Sequence, residues 1–220
     1  MVDSLDQDPS KGQILTFLDD LASSAPTPGG GAAAALVGAM AAGLVSMVGN
    51  LTIGRPRYAA VEAAMRIIVG RAELLRGTLT RLADDDAHAY ARVAVAYKLP
   101  KTTESDRLSR IGAIQDALRL ASVPPLAVME ACREILPLSL QVAAHGNATV
   151  VSDAGVAAEL AAAGVRASVV NVRVNLTDLR DADYVRQANG RIAAAEEELA
   201  NELSRVSAIV RAKLAPRATG

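Results

Sequence analysis

The first candidate for chemistry in the 220-residue sequence is Asp86, the last of three consecutive aspartates. If the surrounding segment is a helix, Asp86, Tyr90, Val93 and Tyr97 lie along one of its faces. A carboxylate among aromatic rings could exchange a proton with a planar ligand that stacks on those rings. The alternative is a solvated acidic turn at Asp84–Asp86, because acidic side chains are mostly exposed. These residues alone leave both interpretations open.

A glycine run forms the second candidate, because Pro28, Gly29, Gly30 and Gly31 stand directly before a stretch of small residues. Glycines adopt backbone angles closed to other residues, and the free N–H groups at a helix start can bind a carboxylate or a polar ring edge. The run lacks the lysine and serine or threonine of a phosphate-binding loop. The alternative is a tight turn followed by closely packed helices.

Two further polar groups have a structural explanation as well as a functional one. Ser152 and Asp153 precede an alanine-rich segment, which is a normal N-cap placement. The segment 170–176 alternates strictly and taken alone predicts a strand. In a helix, Asn171 and Asn175 would instead share a face with Asp178 one turn further on. We keep both interpretations of this segment open.

The elements that must position these residues are helices. The chain has 45 alanines against five aromatic residues and no tryptophan, which favours closely packed helices over sheets. With 23 basic and 24 acidic residues the net charge is −1, which together with the few aromatic rings argues against nucleic acid as a partner. We find no internal repeat or linker, and therefore expect a single domain over residues 1–220. The predicted helices cover residues 11–24, 31–53, 58–98, 104–122, 126–144, a segment from 154 onward, and 184–213.

The cysteine and histidine content predicts a cytoplasmic protein without a structural metal. Cys132 is the only cysteine, and His88 and His145 are the only histidines, so neither a disulfide nor a common zinc site can form within the chain. Residues 1–12 are polar and acidic, unlike a secretory signal, so we expect no export. The uncharged stretch 22–53 is long enough for a membrane span, but we interpret it as a buried helix because it is mostly alanine and glycine.

Several ordered motifs between residues 13 and 185 resemble the cyclodeaminase/cyclohydrolase family of folate one-carbon enzymes. The motifs are Pro28–Gly29–Gly30–Gly31, Met47–Val48, Leu51–Thr52–Ile53–Gly54, Tyr58, Asp86, Ala89–Tyr90, Leu99–Pro100–Lys101, Gly146–Asn147, Ser152–Asp153–Ala154, Asn171–Val172 and Asn175–Leu176. The resemblance implies an all-α bundle of long antiparallel helices, a homodimer, and a helix over Asn171–Asn175. The stretch from Leu21 to Gly31 resembles the stand-alone cyclohydrolases.

The resemblance also implies a reaction. A cyclohydrolase adds water to the cationic carbon of 5,10-methenyltetrahydrofolate, and this needs a proton acceptor but no metal or redox cofactor. We expect Asp86 to be that acceptor, with Asp153 sharing the acid/base work. The expected substrate-binding residues are Pro28, Gly29, Gly30, Gly31, Tyr90, Asn147, Ser152, Asn171 and Asn175, with Arg55 and Lys101 at a cationic rim for the glutamate tail.

Alternatives remain at this point. The related 5-formiminotetrahydrofolate cyclodeaminase reaction passes through a similar tetrahedral intermediate, and a non-catalytic helical dimer would explain the alanine and glycine stripes. Three residues depart from the family's usual pattern, namely Ala32 for serine, Tyr90 for phenylalanine and Thr149 for a second asparagine. If those positions contact substrate in relatives, the departures bear on the exact reaction or its rate.

Overall fold

The computed structural model describes the backbone of residues 9–215 and the side chains of residues 12–215, and this part of the chain is helical without any strand. Residues 1–8, on which the expectation about export largely rests, lie outside the described residues. The α-helices are α1 (Pro9–Leu21), α2 (Gly30–Asn50), α3 (Glu62–Tyr97), α4 (Glu104–Ala121), α5 (Val123–His145), α6 (Val151–Thr177) and α7 (Ala182–Leu214), with 3₁₀ turns at Pro56–Val61 and Ala148–Val150. The all-α prediction is confirmed.

Helix α2 lies at the centre and runs antiparallel to both α3 and α6. Gly30 at the N-terminus of α2 lies near Asn171, close to the C-terminus of α6. Thr52, just beyond the C-terminus of α2, accepts a hydrogen bond from the backbone N–H of Asn147, which precedes α6. Along α3, Gly31 lies against Asp86 and Gly49 lies against Val69. The small residues of α2 make this approach possible, because helices lacking large side chains can pack with their backbones close together.

The tightest helix crossing surrounds Cys132 of α5. A Cβ atom added to Gly38 of α2 would overlap the sulfur of Cys132, and one added to Gly164 of α6 would lie 2.6 Å from the same sulfur. Burial raises the pKa of this thiol to about 12, so the thiol stays protonated and acts as an apolar filler. The two glycines therefore set how closely α2, α5 and α6 approach.

The predicted starts of α5 and α6 are each three residues too late. Pro124 and Pro125, which lie just before the predicted start at residue 126, form the first turn of α5, where a missing N–H costs nothing because that turn has no intrahelical acceptor. Ser152 and Asp153 are not N-caps, because α6 already begins at Val151 and its N-cap is Val150. The 3₁₀ turn at Ala148–Val150 leads directly into α6, so the helix starts before Ser152.

The segment 170–176 is helical and completes α6. Val172 and Leu176 are buried while Val170 and Val174 are 60% and 66% exposed, so burial follows the helical period rather than strict alternation. Packing of α6 against α2 favours the helical conformation of this segment. This tertiary contact overrides the β propensity of the valines.

Helix α7 packs along the body of the helical bundle. Ile192, Leu199 and Val206 are buried against the core. Lys213 near its end donates hydrogen bonds of 2.7 and 2.8 Å to the carbonyls of Ala143 and Ala144, at the negative end of α5. Helix α7 is thus held to the core by its apolar face and to the end of α5 by its final turn.

Helices α2 and α6 are both long and apolar enough to meet the length and hydropathy criteria for a membrane span. The buried core helix of a globular protein can meet the same criteria. In this fold α2 packs against α3, α5 and α6, and twelve of its 21 residues are buried.

Replacing Gly38 with alanine tests the close helix crossing. We expect Gly38→Ala to lower the free energy of unfolding by about 1–3 kcal/mol, the usual cost of overpacking a dense core. Combining it with Cys132→Ala should recover part of that loss, because the overlapping sulfur is removed. Gly70→Ala is the matched control, since nothing lies near the added methyl and the helix should gain stability. Denaturant unfolding measures all of these, and equal effects at Gly38 and Gly70 would contradict the crossing.

Candidate active site

A cavity of about 410 Å³ opens where the N-terminus of α2 meets α3 and α6. Its walls combine seven of the thirteen predicted site residues, with Pro28 not among them, and several residues that the sequence analysis did not assign to the site. The lining residues are Pro26, Thr27, Gly29, Gly30, Gly31, Asp86, Ala89, Tyr90, Val93, Tyr97, Leu118, Ala121, Asn171, Val174, Asn175 and Asp178. We refer to it as the α2–α3–α6 pocket.

Asp86 is half-buried on the α3 wall of the pocket. Burial raises the pKa of its carboxyl group, because water can no longer fully solvate the charged form. Its carboxylate lies so close to the backbone of Gly31 that a Cβ there would overlap the carboxyl carbon and both oxygens. Glycine at position 31 is therefore required for this carboxylate to sit against α2.

The glycine run forms the start of α2 and places a positive helix end beside Asp86. Gly29 is the N-cap, and the first hydrogen bond of the helix joins the N–H of Ala33 to the carbonyl of Gly29. The N–H groups of Gly30, Gly31 and Ala32 therefore have no acceptor among the described residues. Such groups attract negative charge, so they offset part of the cost of keeping Asp86 ionised.

Asn171 and Asn175 form the α6 wall with their amide nitrogens already engaged. Asn171 donates to the carbonyl of Ala167 at 3.0 Å, and Asn175 donates to the carbonyl of Ala121 at 3.0 Å. Asn175 also donates to the carbonyl of Asn171 at 3.2 Å and so uses both of its N–H groups, whereas Asn171 keeps one N–H. Both amide oxygens are left free to accept hydrogen bonds. The predicted polar stripe of α6 is thus one wall of the pocket.

Apart from the backbone N–H groups of Gly30 and Gly31, the pocket presents mainly acceptors and aromatic rings, and no cationic side chain lines it. Asp86 and Asp178 are its two carboxylates, and Tyr90 and Tyr97 are its two aromatic rings. The guanidinium of Arg110 lies outside, over the Tyr97 ring at 5.6 Å from the centroid. Such a pocket is suited to a flat ligand that carries positive charge and N–H donors.

Sequence reasoning missed the remainder of the walls, namely Pro26, Thr27, Leu118, Ala121 and Val174, as part of the site. Leu118 and Ala121 end α4, and nothing in their sequence pattern distinguishes them from ordinary core residues. Asp178 had a usable signal, because it continues the helical stripe of Asn171 and Asn175.

Asn147, Ser152 and Asp153 lie at the other end of α6 from the pocket. Asn171 lies 18 positions after Asp153, which corresponds to about 27 Å of helix. Asn147 is buried and its amide nitrogen donates to the carbonyl of Leu51 at 3.0 Å, which joins the loop before α6 to the end of α2. Within one chain, the prediction that Asp153 shares proton transfer with Asp86 is therefore wrong.

Neither Arg55 nor Lys101, the residues of the expected cationic rim, is among the residues that line the pocket. Arg55 precedes the 3₁₀ turn that follows α2, at the end opposite Gly30. Lys101 is exposed in the α3–α4 loop, where its carbonyl accepts a hydrogen bond from Arg107 at 3.3 Å. Both predictions relied on neighbourhood in sequence, and the antiparallel helices separate Arg55 from the pocket by the length of α2.

Comparison with known proteins gives matches in sequence and in structure. The family model of the formiminotransferase-cyclodeaminases matches residues 13–194. The methenyltetrahydrofolate cyclohydrolase of Methylorubrum extorquens is 50% identical over 174 residues, which cover 79% of this chain and 84% of that protein. The formimidoyltransferase-cyclodeaminase of Sus scrofa is 36% identical over 185 residues, 84% of this chain but only 34% of that longer protein. The crystal structure of the formiminotetrahydrofolate cyclodeaminase of Thermotoga maritima superposes with a TM-score of 0.83 and 31% identity, covering 93% of this chain and 98% of that one.

The environment of Asp86 predicts a specific pH dependence of stability. A carboxyl group with a raised pKa stabilises the fold most when it is protonated, and this contribution is lost as the pH rises through the folded-state pKa. We therefore expect Asp86→Asn to be more stable than the wild type at neutral pH. This difference in stability between Asp86→Asn and the wild type should shrink as the pH falls towards the ordinary pKa of aspartate.

Thermal unfolding of the wild type and of the Asp86→Asn protein across that pH range measures the difference. Asp85→Asn is the matched control, because Asp85 is exposed. A difference between wild type and Asp86→Asn that does not change with pH would contradict the desolvated site.

Proposed function

The chain belongs to the formiminotransferase-cyclodeaminase family, and we propose that it hydrolyses 5,10-methenyltetrahydrofolate to 10-formyltetrahydrofolate and catalyses the reverse cyclisation. The 50% identity to a methenyltetrahydrofolate cyclohydrolase favours this activity over those of the more distant relatives. The observation that carries the proposal is the half-buried Asp86 in a pocket whose lining residues include no cation.

The charge of the substrate fits this pocket. The methenyl carbon lies between two nitrogens of a planar amidinium, so the reacting centre is a cation. Its attraction to Asp86 is strengthened where water is partly excluded. The amide oxygens of Asn171 and Asn175 can accept hydrogen bonds from the ring or from the attacking water.

The chemistry then requires one base and one water molecule. Water attacks the methenyl carbon, and Asp86 accepts a proton as the carbon–oxygen bond forms, which leaves a neutral tetrahedral intermediate. The proton passes to the ring nitrogen N5 as the bond between that nitrogen and the carbon breaks. The second proton of the water leaves the hydroxyl as the formyl group forms, so hydrolysis releases one proton overall.

The raised pKa of Asp86 suits this role. A carboxylate that has lost solvation is a stronger base than one in water, and the cationic substrate favours its ionised form on binding. The reaction as proposed needs no metal or organic cofactor. We also propose a cytoplasmic location, which the buried free thiol of Cys132 supports.

Removing the base should abolish most of the activity. We expect Asp86→Asn to lower kcat for methenyltetrahydrofolate hydrolysis by about 10²–10⁴-fold, the usual contribution of a positioned acid or base. The measurement is loss of the methenyl chromophore, with Asp85→Asn as the matched control. Full turnover by the Asp86→Asn protein would show that another group is the base.

Cyclodeamination is the second candidate, favoured by the structural match to a formiminotetrahydrofolate cyclodeaminase. In cyclodeamination, the folate nitrogen that does not carry the formimino group attacks the formimino carbon, and ammonia leaves. Assaying the purified protein with both substrates separates the two activities. Release of ammonia without methenyl hydrolysis would replace the cyclohydrolase assignment.

We further propose that the protein works as a homodimer through the outward face of α2. That face is apolar over the whole helix, and Met40 at its centre is 53% exposed. Its other members are Leu36, Val37, Leu44 and Met47, followed by Leu51 beyond the helix end. A two-fold axis that sets two α2 helices antiparallel would bring the Asp153 end of one chain to the pocket of the other. This arrangement would give Asn147, Ser152 and Asp153 a place near the site.

A charge at the centre of this face should separate the subunits. We expect Met40→Glu to be monomeric in sedimentation analysis with its helix content retained, because a buried unpaired carboxylate is costly. Val95→Glu is the control, since Val95 is 64% exposed on a different face. A dimeric Met40→Glu protein would rule out this interface.

A further inference from the structure

Asp178 lies at the opposite end of the pocket from Asp86. It is the C-cap of α6 and lines the pocket together with Asn171 and Asn175. It lies seven positions after Asn171, which corresponds to about 10 Å along the helix. The pocket therefore has a carboxylate at each end, and Asn171 and Asn175 lie on the α6 wall on the Asp86 side of Asp178.

The position of this carboxylate does not help the fold. The C-terminal end of a helix carries partial negative charge, so an aspartate there is destabilising unless a cation compensates it. Among the described residues, the carboxylate of Asp178 has neither a hydrogen bond nor an ion pair, whereas nearby Arg119 is paired with Asp181 at 3.2 Å. A group kept where it costs stability is a candidate for binding.

The backbone around Asp178 is nevertheless held firmly. Gln115 of α4 donates to the carbonyl of Asp178 at 2.9 Å and accepts from the N–H of Arg180 at 2.6 Å. The end of α6 is thereby attached to α4, which holds the backbone of Asp178 at the pocket. Its side chain is exposed and has no ion pair among the described residues, so the carboxylate oxygens are free to accept hydrogen bonds from a ligand.

We propose that Asp178 binds the aminopyrimidine edge of the substrate's pterin ring and thereby sets the direction in which the ring lies in the pocket. This edge carries a ring N–H and an exocyclic amino group side by side, and a carboxylate can accept hydrogen bonds from both at once. The proposal rests on the folate substrate proposed above.

The direction follows from the two ends of the pocket. With its aminopyrimidine edge at Asp178, the ring extends along α6 past Tyr97 and Val174, and its opposite side carries the methenyl carbon towards Asp86. The anionic glutamate tail must then leave the pocket, because no cation lines it. The two carboxylates thus have separate tasks, binding at Asp178 and proton transfer at Asp86.

The first test is Asp178→Asn, with Asp183→Asn as the control. Asp183 is an exposed aspartate paired with Arg186 outside the pocket. We expect Asp178→Asn to raise the KM for methenyltetrahydrofolate by about 10–100-fold, as for loss of charge-assisted hydrogen bonds, with little change in kcat. Its melting temperature should stay the same or rise, because an unfavourable helix-end charge is removed. A lower melting temperature with kcat and KM both impaired would show a structural role and overturn the proposal.

The second test removes the partner group from the ligand. A substrate analogue with a methyl group in place of the 2-amino group should bind the wild type more weakly than the substrate does. That penalty should largely disappear in Asp178→Asn if the two groups meet. An equal penalty in both proteins would overturn the proposal. If the wild type neither binds nor hydrolyses methenyltetrahydrofolate, the proposed function itself fails, whereas normal wild-type turnover with an unchanged KM in Asp178→Asn overturns only the role of Asp178.

Discussion

The close approach of α2 to its neighbours is the constraint on which the site depends. Gly38 and Gly164 let α2, α5 and α6 meet around Cys132, and Gly31 lets the start of α2 lie against the Asp86 carboxylate. A side chain at any of these positions would push the helices apart. Since the pocket is the space where α2, α3 and α6 meet, its width and the surroundings of Asp86 follow directly from these contacts.

The electrostatics of the pocket follow from the same packing. Burial of Asp86 makes its ionisation unfavourable and raises its pKa, and the positive end of α2 beside it offsets part of that cost. The amide nitrogen of Asn175 connects α6 to the end of α4, and that of Asn171 donates within α6, which leaves both amide oxygens free to accept hydrogen bonds from a ligand. A pocket lined by acceptors and aromatic rings is suited to a flat cation, and this is the link between the fold and amidinium chemistry.

The length of α6 explains why the family's motif residues divide into two groups. Asn171, Asn175 and Asp178 lie at its C-terminal end beside Asp86, whereas Asn147, Ser152 and Asp153 lie at its beginning. A single chain cannot join the two groups, because a helix keeps its ends apart by its own rise. The apolar outward face of α2 offers a physical route by which two chains could do so.

Much of the fold and part of the site could be predicted from local sequence. Helix-forming composition and periodicity predicted the helices, and the spacing of Asp86, Tyr90 and Tyr97 predicted one pocket wall, because a helical face is a local property of the chain. Tertiary structure decided the rest. It made the alternating segment 170–176 helical, moved the start of α6 ahead of Ser152, added Leu118 and Ala121 to the pocket, and separated Asp153 and Arg55 from it. These outcomes depend on which helix lies against which over long sequence distances, and no local pattern contains that information.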